Sequence, residues 1–379
     1  MITVGLIGAG YIGPIHLGAL ARLGGVRVKT VIDVNGELAK KAAAAYNVPN
    51  SGTDHREVIN DPEIDVIHNC TPNKYHYQIT KGALEAGKQV LSEKPLAMDL
   101  KEAEDLVELA EKKRAITGID FCYRYYPVVQ EMAVRVRRGD AGAVRMVSGS
   151  YFQDWLSRET DWTWRLLRSE SGDSNITADL GSHWFDLIQF VTGLKVREVI
   201  GDLATLIPVR KRPTRQVLAF EKVEEVESKE VKVELEDYSS ILFRLSGGAP
   251  GSFTTSQVCA GRKSDTEFQI YGSECSYAWN HKEATVMWIG HREKANEILI
   301  ENPTLQDPST AAYASLPAGH PLGYHDAVMN LFKDYYEAVD KGGKGRELRP
   351  TFQTGFEEMK ILEAILASHK KRSWVEVKD

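Results

Sequence analysis

The sequence lacks the features of a membrane, nucleic-acid-binding or disulfide-rich secreted protein. Its four cysteines are scattered, with no pair at redox or metal-ligand spacing, which fits free thiols in a reducing compartment. No apolar run approaches the roughly eighteen residues that span a bilayer, and the apolar N-terminus carries no basic leader region. A formal net charge of -6 gives no electrostatic footprint for nucleic acid or an anionic membrane. We therefore expect a cytoplasmic protein with neither membrane nor nucleic acid as a partner.

Several catalytic signatures are also missing. The sequence has no serine-hydrolase elbow, no HExxH zinc motif and no P-loop. Its ten histidines form no cluster at metal-ligand spacing. We therefore expect no metal centre.

The order of apolar segments predicts two domains. At 379 residues the chain exceeds the size that one hydrophobic core usually supports. Up to residue 121, short continuous apolar runs alternate with helical patterns, which is typical of a parallel sheet covered on both faces. Later stretches alternate in polarity between Gly, Pro and Ser turns. The prediction is an α/β protein: an N-terminal Rossmann domain with a doubly wound parallel sheet (1–121), and a C-terminal α+β domain with a large open antiparallel sheet (122–379), whose last helix is free to pack back on the first domain.

A glycine-rich turn supplies the first functional signal. Between the first predicted strand and helix the chain reads Gly8-Ala9-Gly10-Tyr11-Ile12-Gly13, and this context turns a weak pattern into a dinucleotide fingerprint. The first glycine allows a tight turn, the second lets the backbone approach a pyrophosphate, and the third permits close helix packing. The helix N-terminus presents N–H groups to the phosphates. We expect the three glycines, Tyr11 and Ile12 to bind the cofactor; the alternative is a turn without a ligand.

Asp33, at the end of the second predicted strand, bears on which dinucleotide binds. A carboxylate at this point accepts hydrogen bonds from the ribose hydroxyls. It also repels a 2′-phosphate, and Val34 and Asn35 offer no positive charge to receive one. The sequence therefore favours NAD over NADP. The alternative role for Asp33 is a helix cap.

Two polar loops follow the next predicted strands. One reads Cys70-Thr71-Pro72-Asn73, with His76 close behind, and the other reads Ser92-Glu93-Lys94-Pro95. In an open α/β sheet ligands bind outside the carboxyl ends of the strands, so we expect these loops to face the nicotinamide. Each loop taken alone has an equally good structural interpretation.

Together these motifs make the chain resemble the glucose–fructose oxidoreductase / inositol dehydrogenase (Gfo/Idh/MocA) family. The resemblance covers nearly the whole chain and is specific to the family, although not to a substrate. It implies NAD binding, a C-terminal sheet that commonly mediates homodimers or homotetramers, a cis Lys94-Pro95 bond and a Lys-Asp-His catalytic set. Its motifs are GAGYIG, TPN with His76, EKP, Tyr123-Arg124, and Asp179-Leu180-Gly181-Ser182-His183.

The residues of the catalytic set suit hydride chemistry on a carbinol. Such a step needs a base and a cation beside the hydroxyl oxygen. Lys94 supplies the cation, and His183 is the candidate base, because histidine titrates near neutrality. Asp179, four residues before His183 at the start of a predicted amphipathic helix, shares its face and is expected to bind a substrate hydroxyl. From spacing alone, a capping Asp and a packed His are favoured; the resemblance reverses that preference.

The resemblance assigns further contacts. Substrate contacts are expected from Tyr123, Gln153, Asp154, Trp155 and Arg165, with the Trp-rich stretch alternatively a core or interface feature. In the segment 319–325, Tyr324 or a neighbouring histidine is a further candidate to line the pocket, with an equally good interpretation as a loop. Cofactor contacts are expected from Thr71, Pro72, Asn73, His76, Glu93, Lys94 and Arg124, with Arg124 alternatively a surface clamp. One departure is the polar segment Ser171-Gly172-Asp173-Ser174-Asn175, where the family often has a glycine pair. It puts any transfer of substrate identity in question.

These patterns predict an NAD-dependent oxidoreductase acting on a CH–OH group of a sugar, anhydro-sugar or polyol. Two alternatives stay open. One is a glycoside hydrolase or lyase that uses bound NAD without net redox change; the other is a non-catalytic NAD-sensing regulator. Retention of Lys94, Asp179 and His183 speaks against the regulator.

Overall fold

A computed structural model describes residues 1–215, 217, 221, 227–345 and 348–378. The chain forms two compact units. The first unit consists of Met1–Phe121, Ser169–Asp173 and Val328–Met359. The second unit consists of Cys122–Arg168, Ser174–Ala327 and Lys360–Asp379. Each unit therefore takes segments that are distant in sequence.

Strands and helices alternate in the first part of the chain, and strands dominate later. The strands are β1 Ile2–Ile7, β2 Val26–Ile32, β3 Asn50–Gly52, β4 Val66–Asn69, β5 Gln89–Ser92, β6 Thr117–Ile119, β7 Val144–Phe152, β8 Val196–Ala204, β9 Val209–Pro213, β10 Ser228–Lys232, β11 Tyr238–Leu245, β12 Pro250–Ser256, β13 Asp265–Gly272, β14 Ser276–Asn280, β15 Val286–Gly290, β16 Glu297–Ile300 and β17 Val375–Glu376. The helices are α1 Ile12–Ala21, α2 Gly36–Ala45, α3 Arg56–Ile59, α4 His76–Glu85, α5 Leu100–Lys113, α6 Pro127–Arg138, α7 Arg168–Ser171, α8 Ser182–Thr192, α9 Pro308–Ala311, α10 Tyr324–Asp340 and α11 Phe352–Lys371.

The first unit is built on a six-stranded parallel sheet in the order β3-β2-β1-β4-β5-β6. The strand order reverses between β1 and β4, which is the topological switch point where such sheets bind ligands. Val4, Val31, Ile67 and Val90 lie fully buried in these strands, because helices cover both faces of a parallel sheet. The predicted Rossmann-type α/β fold is confirmed.

The second unit contains a nine-stranded sheet in the order β16-β15-β14-β13-β7-β12-β11-β8-β17. Neighbouring strands are antiparallel except β7 and β12, which run parallel. The prediction of an antiparallel sheet therefore needs one correction: β7, from earlier in the chain, lies between β12 and β13. One face packs against α8, where the buried Trp184 indole donates to the Glu267 carbonyl at 2.9 Å.

Two further features concern the length of the helices and the state of the cysteines. In the described part of the chain, no helix is long and apolar enough to cross a membrane. Cys70 and Cys122 are buried free thiols, and Cys259 and Cys275 are half-buried free thiols.

Candidate active site

The glycine turn joins β1 to α1 and has little room for side chains at its first and last glycines. Gly8 has φ +101°, and a Cβ there would lie 2.4 Å from the Cys70 carbonyl oxygen. A Cβ on Gly13 would lie 2.2 Å from the Gly8 oxygen. At Gly10, by contrast, a Cβ would meet nothing within 4 Å. The contact of Gly10 and the α1 N-terminus with a pyrophosphate stays a prediction.

Asp33 braces this turn. Its Oδ2 accepts the Ala9 backbone N–H at 2.7 Å, and its Oδ1 accepts the Asn35 N–H at 2.8 Å. The cap of α2 is Asn35, which accepts from Glu37 and Leu38. The helix-cap alternative for Asp33 was therefore wrong. Its contact with ribose stays a prediction.

His76 joins the two polar strand-end loops. It lies buried at the start of α4, with Nδ1 2.6 Å from the Pro95 oxygen and Nε2 2.8 Å from the Thr71 oxygen. Burial lowers the pKa of His76, and a neutral ring donates to only one of these carbonyls at a time. In the same region the Asn73 side-chain amide donates to the Ser171 oxygen at 3.3 Å. In this structure the hydrogen bonds of His76 and Asn73 hold these loops in place. Their contacts with the cofactor stay predictions.

Glu93 forms hydrogen bonds that anchor the turn carrying Lys94. The Lys94–Pro95 peptide bond is cis, as the family resemblance implied. Glu93 Oε2 accepts the Lys94 backbone N–H at 3.3 Å, while Oε1 lies 3.1 Å from Nε2 of His16. Glu93 thus links Lys94 to α1. Its contact with the cofactor stays a prediction, as do those of Thr71 and Pro72.

In the second unit, Asp179 lies in a π-helical turn, Thr177–Gly181, just before α8. Asp179 and His183 therefore do not share one regular α-helix as the sequence suggested, because i→i+5 bonding inserts a wider turn between them. Such turns recur at functional sites. Asp179 Oδ1 lies 3.4 Å from Nε of Arg165, and Oδ2 accepts from the Gln257 amide at 3.3 Å.

A buried polar network positions this turn. The Glu236 carboxylate accepts from Ser174 Oγ at 2.5 Å and from the backbone N–H groups of Asn175 and Thr177, both at 3.1 Å. The Asn175 side chain donates to Gln257 Oε1 at 3.3 Å, and Gln257 in turn reaches Asp179. The polar segment that departs from the family's glycine pair thus supplies the anchor of Asp179.

Aromatic side chains of the second unit pack around Tyr123. Its ring meets His183 edge to face at 5.1 Å and lies 6.0 Å from the Tyr324 ring. Its hydroxyl lies 2.6 Å from that of Tyr151. Burial raises the pKa of Tyr123 well above its usual value, so Tyr123 remains a neutral phenol. Tyr123, His183 and Tyr324 are thus brought together.

Other predicted substrate residues are engaged with a loop that precedes β13. Gln153 Oε1 accepts from the Trp155 indole at 2.7 Å, and its amide donates to Ser264 at 3.3 Å. Asp154 accepts from the Gly261 N–H at 3.0 Å and pairs with Lys263 at 2.5 Å. Their contact with substrate stays a prediction.

Arg124 is held inside the second unit. Its Nε donates to Asp186 Oδ2 at 3.0 Å, and its guanidinium lies over the Phe190 ring at 4.7 Å. Only 6% of Arg124 is exposed, so the alternative of a clamp on the protein surface was wrong. The clamp that Arg124 forms is buried. Its contact with the nicotinamide stays a prediction.

The structure divides the predicted site between the two units. Gly10, Asp33 and Lys94 lie in the first unit, and Asp179 and His183 in the second. Their convergence on one reacting carbon stays a prediction.

Sequence reasoning missed several residues around both halves of the site. In the first unit they are His16, His68 and Asp120; in the second, Glu236 and Gln257. Asp120 follows β6 directly, so the rule used for the loops after β4 and β5 would have found it. No local signal marks the others.

Comparison with known proteins gives the family. The sequence model of the family described as "Oxidoreductase family, NAD-binding Rossmann fold" matches residues 2–121. The family model of the GFO/IDH/MocA C-terminal domain matches residues 129–278. Levoglucosan dehydrogenase of Pseudarthrobacter phenanthrenivorans is 29% identical over 388 residues, covering 99% of this chain and 98% of that protein. Inositol 2-dehydrogenase/D-chiro-inositol 3-dehydrogenase of Lactiplantibacillus plantarum is 29% identical, covering 48% of this chain and 51% of that protein.

Two solved structures superpose on this chain over its full length. Levoglucosan dehydrogenase in complex with NADH and levoglucosan superposes with a TM-score of 0.89 at 27% identity, covering 100% of both chains. Its complex with NADH and L-sorbose gives a TM-score of 0.90 at 28% identity, covering 100% of this chain and 99% of that one. The protein described here therefore belongs to the Gfo/Idh/MocA family of NAD-binding oxidoreductases.

Proposed function

We propose that this protein is an NAD-dependent dehydrogenase that oxidises a CH–OH group of a sugar, anhydro-sugar or polyol. The observation that carries the proposal is its full-length similarity to levoglucosan dehydrogenase, in sequence and in fold. An anhydro-sugar is accordingly the first substrate class to test.

The second unit supports a hydroxyl-rich ring as substrate. Asp179, Arg165 and Gln257 form a polar group that can donate to and accept from hydroxyls. Tyr123 and Tyr324 lie close together, and aromatic faces beside polar groups suit carbohydrate rings.

NAD, when bound, accepts the hydride that leaves the carbinol carbon. Gly10 and the α1 N-terminus would hold its pyrophosphate, and Asp33 its ribose hydroxyls. We assign the Lys94 ammonium to the substrate oxygen, where it stabilises developing negative charge.

His183 accepts the hydroxyl proton as the carbonyl forms. The C–H bond therefore breaks with its electron pair leaving as hydride, and the O–H bond breaks with its proton passing to the imidazole. Asp179 holds a neighbouring hydroxyl and fixes the orientation of the ring.

Substrate oxidation is tested by following NADH absorbance with levoglucosan, other anhydro-sugars, aldoses and inositols, with NADP as the comparison. We expect stoichiometric NADH and carbonyl product. Cleavage of a glycoside without net NADH would favour the redox-neutral hydrolase or lyase instead, and NADH binding without any turnover would favour the regulator.

Lys94→Ala tests the catalytic set. We expect turnover to fall by at least a hundredfold while NADH affinity stays within threefold, because the ammonium acts on the substrate oxygen. Lys101→Ala, an exposed lysine on α5, is the matched control. Unchanged turnover in Lys94→Ala would remove it from the mechanism.

We further propose a homodimer or homotetramer through the outer face of the nine-stranded sheet. Alternate residues on that face carry short polar side chains that bond across strands: Ser148 Oγ donates to Gln269 at 3.0 Å, and Ser240 lies 3.0 Å from Thr254. Leu242 is 51% exposed on β11. Light scattering of Leu242→Glu should show a smaller species than the parent, and an unchanged mass would remove this face from the interface.

The cytoplasm is our proposal for the compartment. Its support is the set of free thiols, since buried unpaired cysteines persist in a reducing environment. Fractionation of the producing cells tests it, and recovery from an oxidising compartment would count against it.

A further inference from the structure

Beside the Lys94 turn lies a chain of buried hydrogen-bonding groups contributed by five segments of the first unit. His16 comes from α1, His68 from β4 and Tyr336 from α10. Glu93 and Asp120 immediately follow β5 and β6. All five are at most 8% exposed, so the charges and hydrogen-bonding groups of the chain around them govern their protonation pattern.

His16 is the centre of this chain. Its Nε2 lies 3.1 Å from Glu93 Oε1 and 3.3 Å from Asp120 Oδ2, so the same nitrogen faces two carboxylates. Its Nδ1 lies 2.9 Å from Nδ1 of His68. His68 Nε2 completes the chain at 2.7 Å from the Tyr336 hydroxyl.

The hydrogen-bond directions follow from these distances. Nε2 of His16 must carry a proton, because carboxylate oxygens only accept. Between the two Nδ1 atoms one proton is shared, and either His16 or His68 holds it. If His16 holds it, His16 is an imidazolium and His68 is neutral, donating from Nε2 to Tyr336. If His68 holds it, both rings are neutral and the Tyr336 hydroxyl donates.

Charge decides between the two patterns. Two buried carboxylates beside one nitrogen demand a positive partner. Neither oxygen of Asp120 accepts a hydrogen bond from the described residues, and Oδ2 meets His16 Nε2 as an ion pair at 3.3 Å. Burial opposes a charge on His16, the carboxylates beside Nε2 favour it, and the pKa of His16 lies well above its usual value. Burial also raises the pKa of the Cys70 thiol. A neutral Cys70 adds no negative charge beside Nδ1, so the ground for a charged His16 is the pair of carboxylates 3.1 and 3.3 Å from its Nε2.

His68 takes the opposite state. Burial, and then the neighbouring charge of His16, lower the pKa of His68 well below its usual value. Phe332 meets both imidazoles edge to face, at 4.8 Å from His16 and 5.0 Å from His68. The aromatic wall brings no competing charge.

We propose that the charged His16 is a positioning residue that ties Glu93 and Asp120 to α1 and thereby holds the turn that carries Lys94. The link is direct, because Glu93 receives His16 on one oxygen and the Lys94 backbone N–H on the other. The same helix, one turn earlier, carries Gly13 of the dinucleotide turn. His16 therefore couples the glycine turn to the Lys94 turn. The importance of Lys94 rests on the proposed function; the protonation state of His16 does not.

Nitrogen-15 NMR of the full chain with labelled histidine tests the charge directly. At pH 7.5 we expect one imidazole protonated on both nitrogens, which disappears in His16→Gln, and a neutral ring that disappears in His68→Gln. A neutral His16 at this pH would overturn the proposal. This measurement stands even if no sugar is oxidised.

Turnover tests the positioning. His16→Gln keeps an N–H donor but removes the charge, and we expect kcat to fall at least tenfold while KM and NADH affinity stay within threefold. His55→Gln, on a half-buried histidine at the start of α3, is the control. Parental kcat in His16→Gln would overturn the proposal.

The double variant His16→Gln/Asp120→Asn separates pairing from general damage, because it removes both charges together. We expect it to recover at least threefold in kcat over His16→Gln and to melt at a higher temperature. It also serves if the single variant does not fold. Additive losses would overturn the proposal. A rise in melting temperature with one equivalent of Zn²⁺ that His16→Gln abolishes would also overturn the proposal. His16, Glu93 and Asp120 would then be the ligands of a metal centre.

Discussion

Gly10→Ala separates the two demands that a dinucleotide turn makes on its glycines. Since a Cβ at this position would meet nothing within 4 Å, the substitution should leave the fold intact. A compatible Gly→Ala change alters the free energy of unfolding by about 0.4–1 kcal/mol in favour of the fold, because the unfolded chain loses freedom. The open space at Gly10 is, however, where a pyrophosphate would lie against the backbone.

We therefore expect Gly10→Ala to bind NADH at least tenfold more weakly, about 1.4 kcal/mol, with a melting temperature equal to or above that of the parent. Gly24→Ala is the control, because Gly24 also has open space and no positive φ but lies outside the turn. Gly13→Ala should instead destabilise the fold, since its Cβ would lie 2.2 Å from the Gly8 oxygen.

The assay is a titration of NADH fluorescence paired with thermal melting of each variant. Parental NADH affinity in Gly10→Ala would refute the assignment of this space to the pyrophosphate. A large drop in its melting temperature would refute the reading of Gly10 as structurally open. Either result would leave the proposed chemistry at Lys94 to be judged separately.

Three further predictions address other parts of the molecule. Asp33→Ala removes the acceptor of two backbone N–H groups, so it should weaken NADH binding tenfold or more and reduce the preference for NAD over NADP. Asp33→Asn should have a smaller effect. An unchanged ratio of NAD to NADP affinity would contradict the ribose assignment. Gln257→Leu should lower kcat/KM about tenfold without changing NADH affinity, because Asp179 loses a donor; equal loss of NADH binding would point to unfolding instead. Burial, and then Asp326, raise the pKa of Glu301 to about 7, so its stabilising contribution is complete below about pH 4.5 and is lost as pH rises through 7. Urea unfolding of the parent should lose roughly 1–2 kcal/mol between about pH 5 and 8 relative to Glu301→Gln, after allowance for solvent screening, and parallel pH profiles would refute this.

Local signals carried the first half of the site. The glycine turn and the acidic residue that ends β2 were readable because each depends on a few consecutive residues and their backbone conformations. Gly8, for instance, does take the positive φ that its place in the motif requires. The alternation of apolar runs likewise sufficed for the parallel sheet, because strands covered on both faces must be continuously apolar.

Partnerships between distant segments were not readable in this way. Glu236 anchors a turn some sixty residues earlier in the chain, and nothing near either segment marks the pairing. The single parallel pair in the second sheet has the same origin, since β7 and β12 become neighbours only when the sheet assembles. Secondary-structure patterns constrain one element at a time and leave such pairings open.

By itself, then, the sequence determined the fold of the nucleotide unit, its glycine turn and the family to which the chain belongs. Only the tertiary structure decided that Asp33 braces the turn, that Asp179 lies on a π turn anchored by Glu236, and that His16 faces two carboxylates. The physical reason is that backbone conformation is encoded locally, whereas a buried polar group takes its partner, and with it its charge, from whatever distant element packs against it.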